Sequence, residues 1–335
     1  MDLKIGTMPH GPRNTITDVA GVRVGHCTVD NSQHKTGVTV VMPCADDIFR
    51  QKMVAACHVL NGFGKTCGLI QIRELGTLET PIALTNTLNV GLVHDAMVEY
   101  MCRQAETQDY AIRSVNPIIC ECNDASLNDI RNRAIGQAEV FSAIESASAD
   151  FAQGDVGAGK GMTCHDLKGG IGSSSRLIQI GEETFTLGIL ALTNHGSLKD
   201  LTVCGENIGM DIERQIREDT PDEGSCILIL ATDLPVTDRQ LGRIIRRCSV
   251  GLARLGSYIG HGSGEVFIGF STANRIPQEA ACFTMNCIHE SQIDKAFRAA
   301  AEATEEAVLS SMLHAETVTG YSGKVRRSLA EFWKP

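Results

Sequence analysis

The chain has 335 residues, 43% hydrophobic and 21% charged, a globular balance that excludes a disordered protein. A formal charge of -10, with basic clusters no larger than Arg246-Arg247 or residues 324–327, excludes a surface that neutralises many phosphates, so no nucleic-acid partner is expected. Residues 1–11 carry Asp2 and Lys4 without an apolar segment, and the apolar run 227–231 is too short to cross a bilayer; a soluble, cytoplasmic protein with no membrane partner is expected.

Residues 16–41 read as strands, with Val22, Val24, Val38, Thr39, Val40 and Val41 separated by polar and glycine turns. A long helix is expected over 87–106, from Val93, Met97, Tyr100 and Met101, capped at Asn86 or Thr87. Residues 154–172 hold seven glycines, too many for a helix, and read as a loop shaped by its backbone. Strands are expected at 177–180, 185–193 and 201–204, then an exposed acidic stretch over 211–224. At Ser225 the character changes to a buried strand, 226–231. A helix over 237–256 opens on a Thr-x-x-Gln capping box at Thr237, a strand follows at 265–271, and a last helix runs from about 291 to 312. The part after Ser225 is thus β-α-β-α, and no repeat or linker divides the chain, which reads as one catalytic domain, 1–335.

Several familiar signatures fail on inspection. Residues 154–161 fit a phosphate loop except that Gly161 replaces the metal-binding hydroxyl, and Gly64-Lys65-Thr66 has Val59 where the first glycine belongs. His26, His165, His195 and His261 fall in predicted turns, where turn or hydrogen-bonding roles are expected, and no histidine pair suits a metal. The thirteen cysteines form no C-x-x-C pair and read as reduced, small apolar side chains, so no metal and no cofactor are expected. No G-x-S-x-G elbow occurs.

Two features survive. Gly224-Ser225 stands where an exposed stretch meets a buried strand, the place a strand-initial nucleophile needs, although taken alone such a pair is usually just a turn. Ser263 and Glu265 lie two apart at the head of another strand, so both side chains address one face and a carboxylate can orient a hydroxyl; a glycine-flanked hairpin is the bland alternative.

Taken with residues 14–26, 80–87, 156–162, 168–172, 231–235 and 262–265, these motifs make the chain resemble the DmpA-type L-aminopeptidase/D-alanyl esterase-amidase and β-peptidyl aminopeptidase family, from Asn14 to the 320–323 segment. The resemblance implies an α/β fold, a four-layer α-β-β-α sandwich shared with ornithine acetyltransferase, and a precursor that cuts itself between Gly224 and Ser225 into chains 1–224 and 225–335. It implies that Ser225 is the nucleophile, Ser263 and Glu265 its assistants, Asn194 an oxyanion donor and Glu121 the carboxylate for the substrate's ammonium group. Asn123 stands where the best-known members have a tyrosine, and so either donates to an oxyanion or marks a different substrate preference. The expected substrate is a small peptide or amide with a free amino end, and the expected assembly a homo-oligomer, by resemblance a tetramer. The alternatives are an acyltransferase of the ornithine acetyltransferase type, a hydrolase of synthetic amide oligomers, and a binding protein that never cleaves.

Overall fold

A computed structural model describes residues 5–216 and 224–333. In chain order its first half contains β1 (Arg23–Asp30), β2 (Lys35–Met42), β3 (Gln51–Gly62), α1 (Leu69–Leu75), β4 (Thr77–Leu78), β5 (Ile82–Asn86), α2 (Val90–Thr107), β6 (Ile118–Cys122) and α3 (Gln137–Glu145). A short hairpin, β7 (Thr163–Cys164) and β8 (Leu167–Lys168), leads to β9 (Ile171–Ile180) and β10 (Glu183–Asn194), then to the ribbon β11 (Thr202–Val203) and β12 (Glu206–Asn207) and to α4 (Gly209–Ile216). The remainder is β13 (Ser225–Thr232), α5 (Asp238–Ile245), α6 (Cys248–Arg254), β14 (Gly264–Pro277), α7 (Ile293–Leu313) and the ribbon β15 (Val318–Thr319) and β16 (Val325–Arg326).

Two sheets carry the architecture. One has the order β1-β2-β5-β6; the other has the order β4-β3-β14-β13-β10-β9, with β13 and β14 parallel and the other neighbours antiparallel. The run after Ser225 is apolar throughout because both faces of β13 are covered. Ile227, Ile229 and Ala231 join Val24, Leu84 and Cys120 in the core between the sheets. Cys226, Leu228 and Leu230 face the opposite way, against Leu241, Ile244 and Leu252 of α5 and α6 and against α7. On the far side of the other sheet, Val38, Val40 and Ala83 pack on Val93 and Met97 of α2 and Val140 of α3. Helices therefore cover both outer faces, giving the expected α-β-β-α sandwich.

Small residues set how closely the layers approach. A Cβ on Gly172 would lie 1.9 Å from the carbonyl oxygen of Ala307, so glycine is what allows β9 to press against α7. That packing also explains why Gly172 is inside a strand, where its sequence context suggests a loop. Residues 154–170 are turns, one 3-10 helical turn at Gly157–Gly159 and the short β7–β8 hairpin. Residues 237–256 hold two helices rather than the single one expected. The capping box at Thr237 is present, but the chain turns at Arg246-Arg247, and α6 then brings Gly251 against α7, where a Cβ would meet Thr304 at 2.6 Å. Asn86 caps a single turn at Thr87–Asn89, accepting from the Asn89 N–H, before α2 begins at Val90. In the stretch 211–224, residues up to Ile216 continue α4 with Ile212 buried; 217–223 lie outside the described residues.

Candidate active site

Sheet order determines what surrounds Ser225. The first residue of β13 pairs with Asn194, the last residue of β10, on one side and with Gly264, the first of β14, on the other. Ser263 immediately precedes β14, and its hydroxyl donates to the Glu265 carboxylate, with both side chains fully buried. Asn61 on β3 secures the turn before them: its amide donates to the carbonyls of Gly260 at 3.0 Å and of Ser263. The serine and carboxylate expected to share one face thus form a hydrogen-bonded pair one strand away from Ser225.

Asn194 is held from two directions. Its Oδ1 accepts from the Thr163 N–H at 2.9 Å, and its Nδ2 donates to the Asn123 carbonyl at 3.1 Å. A carboxamide nitrogen carries two hydrogens, so one donor remains for a substrate oxygen. Asn123 contributes through its backbone, while its own Oδ1 accepts from the Ala125 N–H at 3.0 Å. Beside it, the fully buried Cys122 thiol donates to the Ser225 carbonyl at 3.4 Å, and burial pushes that thiol well above its usual range, keeping it neutral.

Glu121 on β6 is 2% exposed yet borders the same cleft. Its carboxylate accepts from the Lys65 N–H at 2.7 Å and from the Thr87 hydroxyl. Gly64-Lys65-Thr66, which has the look of a defective phosphate loop, is therefore part of a carboxylate-holding turn. Ser225, Asn194, Glu121 and Asn123 all line a cleft of about 450 Å³, together with Phe63, Thr163, His195 and Lys324. Ser263 and Glu265 do not border it; they lie buried next to it.

Gly224 is constrained more tightly than its sequence context shows. Its carbonyl accepts from the Gly264 N–H at 3.0 Å, and a Cβ would lie 1.8 Å from the carbonyl oxygen of Asn194. No side chain fits there without moving the end of β10.

The histidines only partly follow expectation. His26 lies in β1 rather than in a turn, because its ring bridges Thr39 Oγ1 at 2.9 Å and the Ala152 carbonyl at 3.1 Å; burial lowers its pKa to about 4. His165 and His261 do sit in turns, and His165 Nδ1 meets the Ser197 carbonyl at 3.0 Å. His195 follows Asn194, in the loop after β10, and is held neutral by burial and then by the neighbouring His165, which lower its pKa to about 3; neither ring nitrogen has a hydrogen-bond partner among the described residues. Cys164, His165 and His195 bring three potential ligand atoms within 4.8 Å of one another, a grouping that could hold a soft divalent ion and that the metal-free expectation did not anticipate. Thr87, Thr163 and Asn61 also went unrecognised in the sequence, since their partners are 34, 31 and about 200 positions away.

A four-layer sandwich with a serine heading a central strand, an amide on the adjacent strand and, among the described residues, no Ser-His-Asp arrangement around it defines the class of N-terminal-nucleophile serine hydrolases. The model of peptidase family S58 matches residues 14–326, and the chain belongs to that family, whose members are aminopeptidases and amidases. The chain is 35% identical over 335 residues to the beta-peptidyl aminopeptidase BapA of Sphingosinicella xenopeptidilytica, covering 92% of this chain and 83% of that protein. Its structure is similar to that of a protein from Pyrococcus horikoshii OT3, with a TM-score of 0.92 and 43% identity over 98% of this chain and 94% of that one. It is also similar to the L-aminopeptidase D-Ala-esterase/amidase of Ochrobactrum anthropi, a prototype of the serine aminopeptidases and a variant of the Ntn hydrolase fold, with a TM-score of 0.90 and 33% identity over 97% and 93% of the two chains. These likenesses favour an aminopeptidase or amidase over the acyltransferase alternative. No helix among the described residues is long and apolar enough to cross a membrane.

Proposed function

We propose that the protein matures by cutting its own Gly224-Ser225 bond and that Ser225, as the new terminus, hydrolyses small amides and peptides with an unblocked amino end. The observation that carries this is the placement of Ser225 between Asn194 and the Ser263–Glu265 pair, in a cleft also bordered by the buried carboxylate of Glu121.

In the precursor, the Ser225 hydroxyl attacks the Gly224 carbonyl, whose oxygen already accepts from the Gly264 N–H. The C–N bond breaks, nitrogen takes up a proton, and water then hydrolyses the resulting ester. The freed α-amine has an ordinary pKa of about 7.7–8.0, near enough to neutrality to take the proton from its own hydroxyl. In turnover, Ser225 Oγ adds to the substrate carbonyl, and Asn194 Nδ2 donates to the oxyanion. Collapse expels the leaving amine with a proton, and water releases the acid from the acyl-enzyme. The Ser263–Glu265 pair, buried beside the amine, orients it and relays the proton. Glu121 takes the substrate's ammonium group. A cytoplasmic, tetrameric enzyme completes this reading, for which light scattering of the purified protein is the check on assembly.

Denaturing electrophoresis with N-terminal sequencing is the direct test. Two fragments are expected, the smaller beginning at Ser225, and the Ser225→Ala protein should stay as one band with no activity on amino-acid anilides. A persistent full-length wild-type band, or an active Ser225→Ala protein, would remove the basis of the proposal.

A further inference from the structure

The two sides of the cleft differ in charge, and the sheet order tells them apart. On the β3 and β14 side of Ser225 lie Phe63, Lys65 and Glu121; the Lys65 Nζ rests 4.2 Å from the Phe63 ring centre, while its backbone N–H holds Glu121. On the β10 side the lining is Asp166, Lys324 and Arg326. Arg326 is buried and matched: its Nη1 donates to the Asp166 carbonyl at 3.0 Å, and its Nη2 lies 4.0 Å from the Asp166 carboxylate. Lys324, in the turn between β15 and β16, is exposed; its carbonyl accepts from the Gly320 N–H at 2.8 Å, while its ammonium group takes part in no hydrogen bond or ion pair with the described residues. That turn is fixed against the site, since Gly320 packs on Leu127 and the Tyr321 N–H donates to the Leu127 carbonyl at 3.0 Å. An uncompensated cation therefore stands on the cleft wall, on the opposite side of the nucleophile from a buried carboxylate.

We propose that Lys324 takes the free carboxylate of a short peptide, so that unblocked dipeptides are preferred over their C-terminal amides. This rests on the aminopeptidase reading, with the ammonium group at Glu121 and the leaving group toward Lys324. A zwitterionic dipeptide presents its charges at its two ends, with the scissile carbonyl between them, in the order Glu121, Ser225 and Lys324 are met. A volume of about 450 Å³ is toward the lower part of the roughly 300–1,000 Å³ range for small-molecule sites, which favours two or three residues over a long peptide.

The test compares L-alanyl-L-alanine with L-alanyl-L-alanine amide. Wild type is expected to favour the acid by about fivefold in kcat/KM, the scale of one solvent-accessible ion pair, expressed in KM and shrinking as salt is raised. Lys324→Gln should bring the acid-to-amide ratio close to one. A wild-type ratio near one, or a ratio unchanged by the substitution, would overturn the assignment. Binding of the ketomethylene analogues of both compounds, in which CH2 replaces the scissile NH, reads the same contrast without turnover. Absent hydrolysis with a retained acid preference in binding would refute the aminopeptidase reading alone, and equal binding would refute the Lys324 assignment alone.

Discussion

Replacing Gly224 with alanine should slow self-cleavage while leaving the fold intact. The new Cβ would start 1.8 Å from the Asn194 carbonyl oxygen, whereas ordinary contact begins at 3.4 Å, so the ends of β10 and β13 must part by about 1.6 Å. Overpacking of this kind costs roughly 1–3 kcal/mol of stability, which a domain of this size tolerates. The geometric cost is larger, because the same movement draws the Gly224 carbonyl off the Gly264 N–H and out of line with the Ser225 hydroxyl. Misplacement of about 1 Å typically costs on the order of 10²-fold in rate, so processing should slow by at least that factor. Freshly expressed wild type and Gly224→Ala would be followed over hours by denaturing electrophoresis, with near-ultraviolet circular dichroism confirming the fold. Processing of a folded Gly224→Ala protein at the wild-type rate would show that the close approach to Asn194 has no part in the reaction.

Three further outcomes follow from the cleft and its surroundings. Glu121→Gln keeps one oxygen to accept from the Lys65 N–H, turns the group facing the Thr87 hydroxyl from acceptor to donor, and removes the negative charge; losing a charged hydrogen bond of about 1.5–3 kcal/mol should lower kcat/KM on free-amine anilides roughly ten- to a hundredfold and narrow the discrimination against N-acetylated ones. Thr87→Val deletes only the hydroxyl that holds Glu121, and a several-fold rise in KM with kcat nearly kept is expected; an unchanged KM would mean that Lys65 alone fixes the carboxylate. His195, with its pKa lowered to about 3, stays neutral when folded, while an unfolded histidine protonates near 6.5. Between those values the unfolded state holds more protons, so the stability this site contributes is complete above about pH 6.5 and is lost as pH falls, by at most about 1.4 kcal/mol per unit. Urea midpoints at pH 7 and 5 should differ less in a His195→Asn protein than in wild type.

Much of the fold was legible because local pattern and tertiary burial agree. The all-apolar run after Ser225 reads as a strand buried on both faces and is one, and Thr237 caps a helix as its spacing predicts. Misreadings arose where close packing overrode local propensity: Gly172 belongs to a strand because α7 needs the missing Cβ, and 237–256 turns at Arg246-Arg247 because α6 has its own contact with α7. In the site, Ser263 and Glu265 were found together because they are two residues apart on one strand. Thr87, Thr163 and Asn61 were not, because each acts on a residue that only the sheet order brings near. The importance of Gly224 was visible as residue type, but the reason for it, a backbone oxygen from another strand, was not.

The order β4-β3-β14-β13-β10-β9 has a consequence for any cut between Gly224 and Ser225. Such a cut would leave β13 and β14 in the smaller fragment, threaded between β3 and β10 of the larger one, with α5, α6 and α7 clamped over the same sheet. The fragments would then be locked like the interlaced fingers of two hands, and no dilution short of unfolding would part them. Losing one covalent bond thus sacrifices no part of the scaffold: the peptide link becomes dispensable at the one point where a free end is useful, and both pieces should migrate as a single particle through every non-denaturing step.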